Sequence, residues 1–209
     1  LRGDLQFIGG DLDDLLIGDD SGNAMIGGRG NDLLRGFGGP DALSGGQGND
    51  LLEVSDLNFI RVDGGTGADS LRFNALGVSI DLATIADNRI QDIEILDLQD
   101  GSSQLLTLSL HEVLALSSTS NTVTVYRDAI DTVNTGSGWT PSGTELIGDD
   151  SFDKYLQGAG TLFVQRFSGL GGDYDQDGRV DARDFLKWQR QFGHLVTPAS
   201  EGDGDGSGV

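Results

Sequence analysis

Six oxygen-bearing side chains fall at one phase of the first third of the chain: Asp14, Asn23, Asp32, Asp41, Asp50 and Asp69. Each follows a glycine by five residues (Gly9, Gly18, Gly27, Gly36, Gly45 and Gly64) and precedes an apolar residue by two (Leu16, Met25, Leu34, Leu43, Leu52 and Leu71). Carboxylates beside bare glycine carbonyls are hard oxygen donors. They suit calcium, which takes roughly six to eight oxygens at about 2.3–2.6 Å and tolerates irregular geometry. Glycine also permits the positive φ of a tight turn and leaves its carbonyl uncovered. The candidate metal ligands are therefore these six side chains together with the turn glycines Gly9, Gly27, Gly28, Gly30, Gly45, Gly46 and Gly48.

The spacing dictates the elements that must position them. In rows of nine the chain runs 9–17, 18–26, 27–35, 36–44 and 45–53 without a slip of register, and a sixth row, 64–72, follows a ten-residue insertion. Each row predicts a tight turn and then a three-residue strand whose central side chain points inward. A glycine-rich acidic linker has no reason to keep an apolar residue at one fixed phase.

The rows Gly27-Gly28-Arg29-Gly30-Asn31-Asp32-Leu33-Leu34 and Gly45-Gly46-Gln47-Gly48-Asn49-Asp50-Leu51-Leu52 carry the full pattern GGxGxDxU. They resemble the RTX family, whose repeat folds as a parallel β-roll with calcium held between stacked turns. The resemblance implies that consecutive turns fall on opposite edges, so that every second row stacks. One edge would then carry Asp14, Asp32 and Asp50. The other carries Asn23 and Asp41 in rows where Ser21 and Phe37 stand at glycine positions and Pro40 intrudes. An asymmetric roll is expected, with strong sites on the first edge and weak or empty ones on the second. Extrapolated backwards, Gly3 and Phe7 fall in register as the tail of an earlier row whose aspartate position holds Leu5.

From about residue 73 to 168 the composition turns to Leu, Ile, Val, Thr and Ser with the alternation of strands. Leu106, Leu108 and Leu110 share one phase, as do Val123 and Val125, and Ser109 with Glu112 has capping-box spacing for a short helix. This stretch is similar to the β-rich segments that follow RTX repeats, and its expected role is to cap the open end of the roll. Asp92, Glu94, Asp97 and Asp100 read as surface acidity on strands rather than a catalytic acid and base. His111 is expected on a solvated helix face and Trp139 in core or cap packing.

At the C-terminus a second oxygen-rich spacing appears. Asp173, Asp175 and Asp177 stand at positions one, three and five of an EF-hand-type loop, Gly178 makes the turn, Arg179 offers its carbonyl, and Asp184 closes at position twelve. Phe185, Trp188 and Phe192 then share a helical face that Gly193 is placed to end. With Asp at the twelfth position and a helix only on the exit side, the segment is similar to the dockerin family. That implies a tethering module with a cohesin-like or other surface-protein partner, although Ala182 and Arg183 replace the hydroxyl residues dockerins use for recognition. A second loop begins at Asp203 and runs to Val209.

Composition narrows the classes. Thirteen basic against 34 acidic residues give a net charge of −21, which calls for bound cations and disfavours nucleic acid. No apolar run approaches the ~18–20 residues of a membrane helix. There are no cysteines, and His111 and His194 are too few and too distant for zinc. No signal peptide or initiator methionine stands at Leu1, so the chain reads as part of a larger protein. Nucleophile elbows, HExxH helices and phosphate loops are absent, so no catalysis is expected.

The expectation is an all-β chain: a β-roll over 1–72, a β-rich cap over 73–168 and a dockerin-like module over 169–209. Its role would be that of a calcium-dependent extracellular or cell-surface scaffold. The alternatives are self-association into a fibre or surface layer, and the accessory tail of a secreted enzyme.

Overall fold

The computed structural model describes residues 5–74 and 79–167. The strands are β1 (Leu5–Ile8), β2 (Leu15–Ile17), β3 (Asn23–Arg29), β4 (Leu33–Phe37), β5 (Ala42–Gln47), β6 (Leu51–Val54), β7 (Arg61–Thr66), β8 (Ser70–Phe73), β9 (Ser79–Asp81), β10 (Ile90–Gln91), β11 (Ile95–Asp97) and β12 (Leu105–Thr107). After a helix, α1 (Leu110–Leu116), come β13 (Thr122–Tyr126), β14 (Thr132–Asn134), β15 (Thr140–Ile147), β16 (Asp150–Gln157) and β17 (Gly160–Gln165). The chain is all-β in class, built largely on parallel sheets. Among the described residues no helix is long and apolar enough to cross a membrane.

Through the repeats, successive strands alternate between two parallel sheets. One has the order β1-β3-β5-β7-β10, and the other runs β2-β4-β6-β8-β11-β13-β17 before ending in β16 and β15. Leu16 pairs with Leu34, Leu34 with Leu52 and Leu52 with Leu71, while Phe7 pairs with Met25 and Met25 with Leu43. Position eight of every row therefore faces one interior. Met25, Leu34, Leu43, Leu52 and Leu71 are at most 1% exposed, and Leu16 and Phe7 pack against them. Alternation along a strand forces this result, since neighbours on the pleat point to opposite faces. Leu5 pairs with Asn23, as the backward extrapolation requires.

The ten-residue insertion is itself a row. Leu43 pairs with Val62 and Gly46 with Gly65, so residues 54–63 make one more turn and strand, with Val62 buried at position eight and Ile60 where the aspartate would stand. The one added residue explains why the spacing between stacked aspartates grows from 18 to 19. Arg89 fastens this row: its guanidinium lies 4.6 Å over the Phe59 ring and donates to the carbonyls of Leu57 and Phe59.

Beyond β8 the circuit widens. A third parallel sheet, β9-β12-β14, pairs Ile80 with Leu106 and Leu106 with Val133. The return spacing rises to 25 residues between Asp69 and Glu94 and 27 between Gln104 and Asp131. Strands from both sides of residue 72 share the larger sheet, with Leu71 beside Leu96 and Leu96 beside Val125. Helix α1 carries the full capping box expected of Ser109 and Glu112. Its first residue is Leu110, which therefore leaves the strand phase of Leu106 and Leu108. His111 is exposed, with Nε2 3.1 Å from Asp87 Oδ2. Trp139 packs against the core and donates from Nε1 to Thr135 O at 3.0 Å.

Residues Leu146–Ser151 and the described residues Arg166 and Phe167 belong to a second unit. Within its described part, Arg166 N–H donates to Ser151 O at 2.8 Å.

Candidate metal centre

The turns preceding β2, β4, β6 and β8 stack along one edge and bring Asp14, Asp32, Asp50 and Asp69 into a column. The N–H of Asp14 donates to Asp32 Oδ1, that of Asp32 to Asp50 Oδ1 and that of Asp50 to Asp69 Oδ1, each at 2.8 Å. A neighbouring column runs the other way: Asn31 N–H to Asp13 Oδ1 (2.7 Å), Asn49 N–H to Asn31 Oδ1 (2.8 Å) and Ala68 N–H to Asn49 Oδ1 (2.9 Å). These bonds satisfy the N–H groups that tight turns leave without ladder partners.

Each buried carboxylate thus uses one oxygen. The other, Oδ2 of Asp32, Asp50 and Asp69, is buried with no hydrogen-bond partner, and the three residues are 2%, 2% and 0% exposed. No Lys or Arg lies within ion-pair distance of them among the described residues; the arginines pair elsewhere, as Arg35 does with Glu53 and Arg72 with Asp97. An ionised, uncompensated carboxylate in such a place is costly. Burial accordingly pushes the Asp69 carboxyl up to about 7, against its hydrogen bond from Asp50 and with added repulsion from Asp50, Glu94 and Asp92. Burial also raises Asp50.

What faces these oxygens is bare glycine. A methyl group at Gly27 would collide with Asp32 Oδ2 and lie 2.6 Å from Gly45 O; one at Gly45 would collide with Asp50 Oδ2 and lie 2.6 Å from Gly64 O. One at Gly9 would meet Gly27 O and Asp14 Oδ2. A carboxylate oxygen and a carbonyl oxygen therefore converge at each rung. Gly28 and Gly46, at φ +118° and +120°, stack on one another, the carbonyl of Gly28 lying against the Cα of Gly46. Gly30 and Gly48 stack likewise. Asp14, the first rung, is partly exposed and its Oδ2 accepts the Gly10 N–H at 2.7 Å.

The opposite edge differs in chemistry. Asn23 N–H donates to Asp41 Oδ1 at 2.9 Å, and the Asn23 amide Nδ2 donates to Asp19 O (3.0 Å), Ser21 O (2.5 Å) and Asp41 Oδ1 (3.3 Å). The amide thereby supplies, from within the chain, the positive end that these oxygens need. Burial still pushes Asp41 up to about 6. The column then stops, because Ile60 occupies the next aspartate position and Asp41 N–H turns to Gly39 O at 3.0 Å. Phe37, at a glycine position, is held at φ 62°, a conformation a side-chain-bearing residue adopts at a cost of about 1–2 kcal/mol.

Among the described residues no three His, Cys, Asp or Glu side chains gather into one group. The donors come instead as one carboxylate per turn among carbonyls. The loop of Asp173, Asp175, Asp177, Arg179 and Asp184 lies outside the described residues. Comparison with protein families, with curated proteins and with solved structures finds no match for this chain.

Reasoning from sequence missed two features. The expected surface acidity of Asp92, Glu94, Asp97 and Asp100 is corrected: none of the four is exposed, Asp97 is 7% exposed and pairs with Arg72 at 2.7 Å, and Glu94 receives the Asp69 N–H at 3.0 Å. Further, Arg35, Glu53, Arg72 and Asp97 are register partners in alternating charge, with Glu53 1% exposed and ion-paired with Arg35 at 2.9 Å. The available signal was the cadence of an acidic residue two before a buried leucine, which Glu94 and Leu96 continue.

Proposed function

We propose that the chain is a non-catalytic, calcium-binding scaffold of the extracellular space or cell surface. In this reading its alternating parallel sheets are a β-roll that calcium completes. The supporting observation is the run of buried, partnerless Oδ2 atoms of Asp32, Asp50 and Asp69, each converging with a carbonyl on a bare glycine. The residues fit a hard cation: carboxylate and carbonyl oxygens, no soft donor, and a chain charge of −21. Asp14, Asp32 and Asp50 would hold calcium together with the carbonyls of Gly27, Gly45 and Gly64, and calcium would supply the charge that these oxygens lack. Folding and location are then linked, because binding to the folded state alone adds about 2.7 kcal/mol per site at a hundredfold excess over Kd. Calorimetric titration should show several bound calcium ions, with loss of β signal in circular dichroism when EDTA is added. No binding heat and an unchanged spectrum in EDTA would overturn the reading.

Self-association is a second reading, favoured by one observation. At the end of the two repeat sheets formed by β1 and β2, Ile8, Leu12, Leu15 and Ile17 are all exposed. Open strand edges with apolar flanks pair readily with another chain. Light scattering of the calcium-loaded protein should then give a mass that rises with concentration and falls in a Leu15→Lys variant; a constant monomer mass refutes it.

A further inference from the structure

The carboxylate column does not end with the repeats. Asp69 N–H donates to Glu94 Oε2 at 3.0 Å, in the same sense as the three bonds below it. Backbone pairing continues too, with Ile95 N–H donating to Asp69 O at 2.9 Å as Ser70 N–H does to Asp50 O. Glu94 therefore stands at the aspartate position of one more turn, although no glycine-rich row precedes it.

The carbonyl column continues at the same place. A methyl group at Gly64 would collide with Asp92 O and lie 2.8 Å from Asp69 Oδ2, so the two oxygens converge as Gly64 O and Asp50 Oδ2 do at Gly45. Asp92 reaches this position through a left-handed backbone, φ 51°, which a non-glycine residue adopts only when the surroundings impose it. In a repeat, five residues separate the turn carbonyl from the carboxylate, as Gly64 and Asp69 show. Here Asp92 and Glu94 supply both within three consecutive residues, and the extra methylene of glutamate provides the reach that the shortened turn removes. Ser117 Oγ holds the remaining oxygen, Glu94 Oε1, at 3.0 Å, and Ser118 Oγ donates to Asp92 Oδ1 at 3.3 Å. Asp69 Oδ2, wholly buried and partnerless, lies with Asp92 O against the bare Cα of Gly64.

We propose that Asp69, the Asp92 carbonyl and Glu94 form a closing divalent-cation site, outside the repeat motif, between the last glycine turn and the first turn of the wider circuits. It rests on the reading of the aspartate column as calcium-binding. Its ligand is a hard dication of the calcium class, and its effect is to join the repeat circuits to those that follow.

Native mass spectrometry of the full chain, loaded with calcium, tests it. The Glu94→Gln variant, which can still accept the Asp69 N–H, should carry one calcium fewer than the parent. Glu94→Asp keeps the charge, loses the reach and should also carry one fewer. Unchanged calcium number and affinity in both variants would overturn the closing site while leaving the repeat sites standing; a parent chain that binds no calcium would instead overturn the wider reading. A measurement on the parent guards against variants that fail to fold. In protein labelled with 13C at the glutamate carboxyls there are five resonances, for Glu53, Glu94, Glu112, Glu145 and Glu201. Exchange of bound calcium for lanthanum should move that of Glu94 and leave those of Glu53 and Glu112 in place; a stationary Glu94 resonance overturns the site.

Discussion

The circuits before residue 72 and those after it share parallel pairing and a continuous apolar interior, but their turns satisfy polar groups from different sources. In the later circuits the chain supplies the partners. Asp131 accepts from Gln104 N–H (2.8 Å) and Asp128 N–H (2.7 Å), and Gln165 Oε1 accepts from Arg127 N–H (3.0 Å) and Gln99 Nε2 (3.1 Å). Partnerless atoms occur there too, at Asp100 Oδ2, Gln104 Oε1 and Gln157 Oε1, but not as consecutive rungs of one column. In the repeats the open oxygens of Asp32, Asp50 and Asp69 are stacked, like-charged and, among the described residues, outside ion-pair distance of any Lys or Arg. A short circuit of 18 residues, mostly turn and strand, leaves little room for a side chain that could neutralise them. A longer circuit has that room. On the calcium reading proposed above, the compact repeat leaves part of its electrostatics to bound ions.

Removing metal should divide the two regions most sharply. In EDTA, hydrogen exchange is expected to lose protection across β2 to β7 and to keep it in β11, β13 and β17, around the buried Leu96, Val123, Val125 and Leu162. Uniform loss, or none, would erase the distinction. Backbone packing comes next. Gly48→Ala places a methyl against Gly30 O at a φ of +128°, whereas at Gly101, φ +79°, a methyl meets nothing within 4 Å. Calcium-loaded denaturation should show a loss of about 3 kcal/mol or more for the first and about 1–2 kcal/mol for the second. Equal losses would mean that the stacked turns give way easily.

Within the repeats, Asp32→Ala removes an open oxygen and strands the Asp14 N–H, while Asn23→Ala removes only the amide of the opposite edge. The first should cost about 2–3 kcal/mol and lower the calcium count, the second about 1 kcal/mol with the count unchanged. Equal effects would refute the asymmetry of the edges.

The smallest effect is that of pH on the metal-free chain. Asp69 at about 7 and Asp41 at about 6 lie above the ordinary aspartate value near 3.9, so protonation stabilises the fold. That stability is fully present below about 4 and is lost as pH rises through about 6 and about 7. Melting in EDTA should therefore fall by several degrees from pH 5 to pH 8. With calcium the dependence should reverse, since protons and the ion compete for the same oxygens. A melting temperature in EDTA that rises over this range would contradict the buried-carboxylate account.

The repeat region was legible because a strand returning to the same place every 18 residues must repeat its chemistry at that period. The inward Leu34 and Leu52 and the place of Asp32 and Asp50 at the turns could thus be read directly. The row at 54–63 was harder to see: it has no leading glycine, ends one residue late and carries Ile60 for aspartate, so only Val62 kept the phase.

Sequence alone determined the period, the inward phase, the all-β class and the shared edge of Asp14, Asp32 and Asp50, all of which follow from alternation along a strand and the uniqueness of glycine in tight turns. Tertiary structure decided what the later, aperiodic segment does with its residues. Circuits of unequal length carry no fixed spacing, so beyond the cadence of Glu94 and Leu96 the order of residues does not announce that Asp97 meets Arg72, or that Ile80, Leu106 and Val133 line a third sheet. Those neighbours are chosen by how the wider loops close over a shared core.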